Sequence, residues 1–337
     1  MHPLVSILIP AYNAENWIAD TLRSAVAQSW PRKEIIVVDD GSKDGTLGVA
    51  RRFASRDVSV VTQQNQGAAA ARNKALSLCQ GTYIQWLDAD DLLSPDKISR
   101  QMEAREHGGT ARTLLSSGWG YFSYRASRAV FMPTPLWCDL SPAEWLLRKM
   151  SQNLHMQTAT WLVSRELTEA AGPWNTRLLG DDDGEYFCRV LLASDGVRFA
   201  TERGVYYRMV GSQRLSYIGR SGRKMEAHLE SMKLHITYLL SLENSERTRA
   251  GCVAYLQTWL LSFYPERPDL VKEAERLARE LGGRLEAPRL SWKYEPIRWL
   301  FGWHVAKKAQ LNIRALKWSV LREWDRYMRR FDRPGCA

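Results

Sequence analysis

Residues 82–91 read Thr-Tyr-Ile-Gln-Trp-Leu-Asp-Ala-Asp-Asp, a short apolar run that ends in three carboxylates. No Lys or Arg follows Asp88, Asp90 and Asp91 until Lys97, so nothing nearby in the sequence neutralises them. Tyr83 to Leu87 has the length and composition of a buried strand. Charge crowded at the carboxyl end of such a strand is costly unless it serves a purpose, and holding a divalent cation is the chemistry that fits. An Asp-X-Asp spacing lets two carboxylates project from a tight turn toward one point. Hard cations such as Mg²⁺ accept that arrangement, with phosphate oxygens completing the shell.

Three further apolar runs precede this one, and each also ends in polar residues. Leu4 to Ile9 runs into Pro10-Ala-Tyr12-Asn13, Glu34 to Val38 into Asp39-Asp40-Gly41-Ser42, and Val58 to Thr62 into Gln63-Gln-Asn65-Gln-Gly67. Between them lie stretches of helical periodicity: Trp17, Ile18, Leu22, Ala25 and Val26; then Leu47, Ala50 and Phe53; then Ala71, Ala75 and Leu78. The order is β-α-β-α-β-α-β, at the spacing of parallel βαβ units. Strands buried on both faces of a parallel sheet are nearly all apolar, as these are. In open α/β sheets ligands bind outside the carboxyl ends of the strands, so Tyr12, Asp39, Asp40, Asn65 and Asp90 are expected to share one crevice. Any one of these polar segments could be an ordinary turn. All four at one sheet edge point to a site.

These residues carry a resemblance. Val5-Ser-Ile-Leu-Ile-Pro-Ala-Tyr-Asn13, Val38-Asp-Asp-Gly-Ser-Lys-Asp-Gly-Thr46, Gly67-Ala-Ala-Ala-Ala-Arg-Asn73 and Leu87-Asp-Ala-Asp-Asp91 resemble the family 2 glycosyltransferases, which have the GT-A fold. The likeness extends through Gly172-Pro-Trp-Asn-Thr176, Asp182-Asp-Gly-Glu185, Arg189 and Tyr206-Tyr-Arg208, covering about residues 1–215. It implies an inverting transfer of a sugar from a nucleotide diphosphate sugar to an acceptor hydroxyl. It implies a donor site formed by Pro10, Tyr12, Asn13, Asp39, Asp40, Arg72, Asp88 and Ala89. In that site Tyr12 stacks on the base, Asp40 accepts from the base edge with Asp39 beside it, Arg72 faces the nucleotide and Asp88 lies near the ribose. Asp90 would hold a Mg²⁺ or Mn²⁺ bound to the diphosphate. UDP is the expected nucleotide, because a carboxylate can accept the uracil N3–H; dTDP would suit the same contact.

An acid on the opposite face of the sugar must take the acceptor proton. The only other notable acidic cluster is Asp181, Asp182 and Asp183. The family pattern has Glu-Asp with an Arg six residues on. Aligned on Arg189, it places Asp182 at the Glu position and Asp183 at the base position. The Glu to Asp change leaves all three carboxylates as candidates, with Asp183 the choice.

Other chemistries lack their signatures. The first turn has no Gly-X-Gly and the chain has no P-loop. Its five cysteines are odd in number and contain no Cys-X-X-Cys, which disfavours zinc and a disulfide framework. The chain enters its first strand almost at once, so a cytoplasmic protein without a signal peptide is expected. A nucleotidyltransferase acting on sugar phosphates, or a non-catalytic nucleotide- or membrane-binding module, is the alternative. The first needs a Gly-rich phosphate loop near the N-terminus that is absent, and the second has no use for a base opposite the metal.

Two regions are expected: a GT-A-type α/β domain over 1–215 and a helical, basic C-terminal region over 216–337. The domain divides into a nucleotide-sugar-binding half (1–105) and an acceptor-binding half (106–215). Trp119, Tyr121, Phe122, Tyr124 and Trp137 are read as core in preference to a sugar-stacking platform. Residues 225–262 and 266–282 read as helices. From Ser291 onward Trp292, Trp299, Trp303, Trp318 and Trp324 stand among Lys307, Lys308, Arg314, Lys317, Arg322, Arg326, Arg329 and Arg330, and this region carries much of the formal net charge of +10. No segment is apolar enough to span a bilayer. Peripheral contact of residues 291–330 with an anionic membrane is therefore weighed evenly against a helical appendage whose aromatics pack on the catalytic domain. The expected partners are a nucleotide-sugar donor and a carbohydrate or lipid-linked saccharide acceptor, as in surface polysaccharide or glycolipid biosynthesis. Nucleic acid is not among them.

Overall fold

Four apolar runs become four parallel strands. In the computed structural model, which describes residues 2–209 and 221–331, these are β1 (Val5–Ala11), β2 (Lys33–Asp39), β3 (Val58–Thr62) and β4 (Tyr83–Trp86). Helices α1 (Ile18–Val26), α2 (Thr46–Arg51) and α3 (Ala68–Leu78) connect them. Ile7, Leu8, Ile9, Val37 and Val38 are fully buried, as strands covered on both faces require. Ile18, Leu22 and Ala25 line the buried face of α1.

The chain continues through β5 (Leu92–Leu93), α4 (Lys97–Glu106), β6 (Thr113–Ser116), β7 (Trp119–Phe122), β8 (Val130–Phe131) and α5 (Pro142–Ser151). It then forms β9 (Val163–Ser164), α6 (Arg165–Ala171), α7 (Asp182–Ala193), β10 (Gly196–Phe199) and β11 (Val205–Arg208). The main sheet has the order β3-β2-β1-β4-β9, with β9 antiparallel to β4 and the other pairs parallel. The strand order reverses at β1, between β2 and β4, and that switch point opens the crevice. A smaller sheet, β5-β11-β7-β8, adjoins it. Trp119 and Phe122 are buried, and Trp137 stacks on Phe199, so these aromatics are core.

The single helix expected over 225–262 is two. α8 (Gly222–Leu242) stops where Glu243 turns extended, and α9 (Glu246–Phe263) restarts at a capping box in which Ser245 and Thr248 cap each other. α10 (Pro268–Glu280) follows. Met225, Leu229, Met232, Leu256 and Leu260 join the same buried cluster as the sheet. The expected boundary between 215 and 216 lies outside the described residues, as do Cys336 and the side chains of Arg314 and Lys317.

The last helix, α11 (Glu295–Met328), is kinked at Gly302, whose φ is 79°. Of its region's five tryptophans Trp303 meets the ring of Tyr264 at 4.9 Å, whereas Trp324 meets Tyr327 of its own helix at 6.3 Å. Trp292, Trp299, Trp318 and Trp324 are exposed, Trp299 by 85%. That overturns the packing alternative for these four.

Candidate active site

Ala11 pairs with Asp39 at the ends of β1 and β2, so Tyr12 and Asp40 leave the sheet side by side. Tyr12 is 47% exposed on the crevice rim, while Pro10 still lies within β1. Asn13 adopts a left-handed φ of 49° and ties the two loops together. Its N–H donates to Ser42 Oγ at 3.0 Å and its Oδ1 accepts from Lys43 N at 2.9 Å. Gly41 also needs positive φ (71°), and a Cβ there would meet the backbone N of Asn65 at 3.0 Å.

The two aspartates differ in what they have left to bind. Asp40 Oδ1 accepts from Gln63 Nε2 (2.8 Å) and Gln66 N (2.9 Å), and Oδ2 from Gly67 N (2.8 Å). Its first task is thus to shape the loop before α3, with acceptor capacity remaining only at Oδ2. Asp39 Oδ2 accepts from Ser42 N and Thr62 Oγ1, but its Oδ1 is buried with no hydrogen-bond partner. A buried carboxylate oxygen without a donor is costly, and a ligand N–H or O–H would relieve it.

In the Asp-Ala-Asp-Asp turn the three acids diverge. Asp91 is fully buried and accepts from Gln157 Nε2 (2.5 Å) and Arg208 N (2.7 Å). Burial, with Asp90 and Asp88 adding to it, pushes its carboxyl well above the usual carboxylate range. Ala89 is buried, and its carbonyl accepts from Thr21 Oγ1 at 2.9 Å. Asp88 and Asp90 remain at the surface of the crevice, both partly exposed. Lys97 does not serve these acids. It is buried and donates to Gln85 and Gln101. Arginines from distant elements do. Arg208 Nε donates to Asp90 O at 2.7 Å while its guanidinium lies between Trp17 and Phe122, 4.6 and 4.5 Å from the ring centroids. Arg72 Nη2 donates to Asp88 Oδ1 at 2.9 Å.

The acids at the start of α7 diverge as well. Asp181, in left-handed conformation (φ 56°), faces α8, where it accepts from Ser231 Oγ at 2.9 Å and lies 3.8 Å from His235 Nε2. Burial drives that histidine down to about 4, against the pull of Asp181. Asp182 Oδ2 accepts from Arg72 Nη1 at 2.8 Å. Burial raises its carboxyl to about 6, Arg72 opposing the rise and Asp183 and Asp88 adding to it. Asp183 accepts from Thr158 Oγ1 at 3.2 Å and lines a small cavity with Lys149, His155, Met156 and Trp161. Glu185 is buried, accepting from Arg189 and Tyr238.

Arg72 therefore bridges the two acidic groups, stacked 4.4 Å from the ring centroid of Trp174. Tyr12, Asp39, Asp40, Asp88 and Asp90 gather at the carboxyl ends of β1, β2 and β4, and Arg72 ties Asp88 to Asp182, while Asp181 lines the same small cavity as Asp183 and bonds to α8. The bracing parts that sequence reasoning left without a role are Arg208, Gln157, Thr158 and Trp174. Only Arg208 and Trp174 had a signal, since both stand in segments that carry the resemblance.

Among the described residues no group of three or more His, Cys, Asp or Glu side chains is placed to enclose a cation. Asp90, with Asp88 beside it, fits instead a Mg²⁺-type ion that takes one or two protein carboxylates and completes its shell with phosphate and water.

Residues 6–158 match the family model for Glycosyl transferase family 2, so the chain carries a domain of that family. The putative teichuronic acid biosynthesis glycosyltransferase TuaG of Bacillus subtilis (strain 168) is 45% identical over 104 residues, 30% of this chain and 41% of that protein. The chain thus spans less than half the length of this relative. S. aureus TarS 1-349 in complex with UDP-GlcNAc superimposes with a TM-score of 0.64 at 18% identity, covering 82% of this chain and 81% of that one. The mannosyltransferase PcManGT of Pyrobaculum calidifontis, in complex with GDP-Man and Mn²⁺, gives 0.53 at 18% identity, covering 92% and 87%. The fold is the GT-A fold.

Proposed function

We propose that this family 2 domain is an inverting glycosyltransferase that moves a sugar from a UDP-sugar to a hydroxyl of a carbohydrate or lipid-linked saccharide, in building a surface polysaccharide or glycolipid. The observation that carries the reading is Arg72, which grips Asp88 and Asp182 together and so sets the cation-side acids and Asp183 across one crevice. Tyr12 offers its exposed ring to the base. Asp39 Oδ1 and the remaining capacity of Asp40 Oδ2 accept from the base edge or nucleoside, with Asn13, Pro10 and Ala89 fixing the loops around it. Uracil supplies the N3–H that an acceptor-only carboxylate needs.

Asp88 and Asp90 face the diphosphate. A divalent cation bound there by Asp90 supplies neutralisation of the charge on the leaving group. Asp183 takes the acceptor proton as the acceptor oxygen attacks the anomeric carbon from the face opposite the diphosphate. The new C–O bond forms as the bond to the diphosphate oxygen breaks, UDP leaves, and the configuration inverts. Asp182 is held by Arg72 and serves as the positioning group at the Glu position of the pattern. The family match favours glycosyl over nucleotidyl transfer. A cytoplasmic location belongs to the same reading.

The test is a thermal-shift panel of nucleotide sugars with and without Mn²⁺. UDP-sugars should raise the melting temperature, more so with Mn²⁺. A response to GDP-mannose alone, or to none of the panel, contradicts the assignment.

A further inference from the structure

From the exposed apolar side of α11 we infer that this helix docks on an anionic membrane surface, in the plane of the headgroups. Ile313, Leu316, Val320, Trp324, Tyr327 and Phe331 recur at three- and four-residue spacing, the last just past the helix, and so share one face. Each is between 51% and 65% exposed. The stripe runs about 27 Å at 1.5 Å per residue. Soluble helices bury such a stripe against a core, and a bare one of this size marks a binding face.

The chemistry of the flanks selects the occupant. Lys308, Arg326 and Arg330 are exposed on the same helix and just past its end, and Glu323, among them, is held by Arg322 at 4.0 Å and Arg326 at 3.6 Å. A second copy of the helix would bring basic flank against basic flank, whereas anionic headgroups meet them with opposite charge. Trp and Tyr are the side chains that settle at a membrane interface, and no helix among the described residues is long and apolar enough to cross one.

The far end of the helix is fixed to the body of the protein. Asp325 Oδ1 accepts from Arg125 Nε at 2.6 Å and Oδ2 from Tyr124 N at 2.8 Å, and Arg329 lies 3.9 Å from Asp20, the carboxylate that also meets Arg208. A docked α11 therefore holds the crevice at a set distance from the surface. That this serves a lipid-linked acceptor rests on the reading above, whereas the docking itself does not.

Flotation of the full-length protein with vesicles of phosphatidylglycerol in phosphatidylcholine, and of phosphatidylcholine alone, at low and high salt tests it. The protein should float with the anionic vesicles and be released by salt. Lys308→Ala with Arg330→Ala should lower partitioning about fivefold per charge. Leu316→Glu with Val320→Glu should abolish flotation while circular dichroism stays native. Lack of salt-sensitive flotation by the wild type overturns the proposal. So does unchanged flotation of both double variants, or a dimer that the Glu pair breaks apart with no vesicle binding. If the Glu pair misfolds, the charge-removal pair decides. UDP-sugar thermal shifts on the same samples report the catalytic reading separately.

Discussion

In the proposed reading Tyr12 binds the base by stacking, independently of the cation. Tyr12→Ala should weaken UDP by roughly 1–3 kcal/mol, the worth of a base–aromatic stack, and by the same amount with or without Mn²⁺. Titration calorimetry under both conditions checks it, and a loss confined to the Mn²⁺ condition contradicts the assignment. Asp182 supplies a pH signature. Burial pushes its carboxyl in the folded protein up to about 6, above the usual carboxylate range. The folded protein therefore retains a proton there that the unfolded chain has released, so this group's contribution is full below about pH 4 and is lost as pH rises through about 6. The stability of the wild type relative to Asp182→Asn should fall across that window. A flat difference in urea unfolding from pH 4 to 7 would show that Asp182 is not held as described.

At the scale of elements, the carboxyl ends of β1, β2 and β4 present the site, and β11 locks it. Arg208 closes β11 with its guanidinium between two rings and its Nε on the carbonyl of Asp90. Arg208→Ala should cost on the order of 2–4 kcal/mol of stability, the range for losing a buried, hydrogen-bonded cation. It should also weaken Mn²⁺-dependent UDP binding, because the Asp88–Asp90 turn loses its brace. Arg208→Lys keeps the charge but not the planar stacking and should recover only part of either loss. Chemical unfolding and calorimetry on both variants check this. Lys restoring full stability would argue against the stacked geometry.

The four strands were legible because runs such as Leu4 to Ile9 are apolar throughout and end in turn formers. Their ends shifted by a residue or two, since Ala11 and Asp39 continue the ladder through backbone hydrogen bonds that carry no side-chain signal. The break at Glu243 was missed because Leu239 and Leu256 keep a helical rhythm on either side of it. The divergence of Asp88, Asp90 and Asp91 was not legible, because the partners that sort them lie far away in sequence: Arg72, Gln157 and Arg208.

For the molecule as a whole, the proposed site is assembled from two parts of the chain that meet through Arg72. The sheet edge contributes Tyr12, Asp39, Asp40, Asp88 and Asp90, and α7 contributes Asp182 and Asp183. α8 packs on α7 and α9 on α8, with Met225, Leu229, Met232, Leu256 and Leu260 in one buried cluster, so the C-terminal helices are part of the body behind α7. The sequence marked 291–330 as basic and Trp-rich, but which side of α11 lies bare depends on how its ends attach at Lys307 and Asp325. In the proposed reading the carboxylates divide their work, Asp90 holding the cation at the donor and Asp183 taking the acceptor proton. Calorimetry of a UDP-sugar with Mn²⁺, on the wild type, Asp90→Ala and Asp183→Asn, tests that division most directly, with UDP release to acceptor measured on the same proteins. Asp90→Ala should stay folded and lose the Mn²⁺-dependent part of binding, while Asp183→Asn should bind the donor as the wild type does and release no UDP. Unchanged Mn²⁺-dependent affinity in Asp90→Ala, or wild-type turnover in Asp183→Asn, would contradict it.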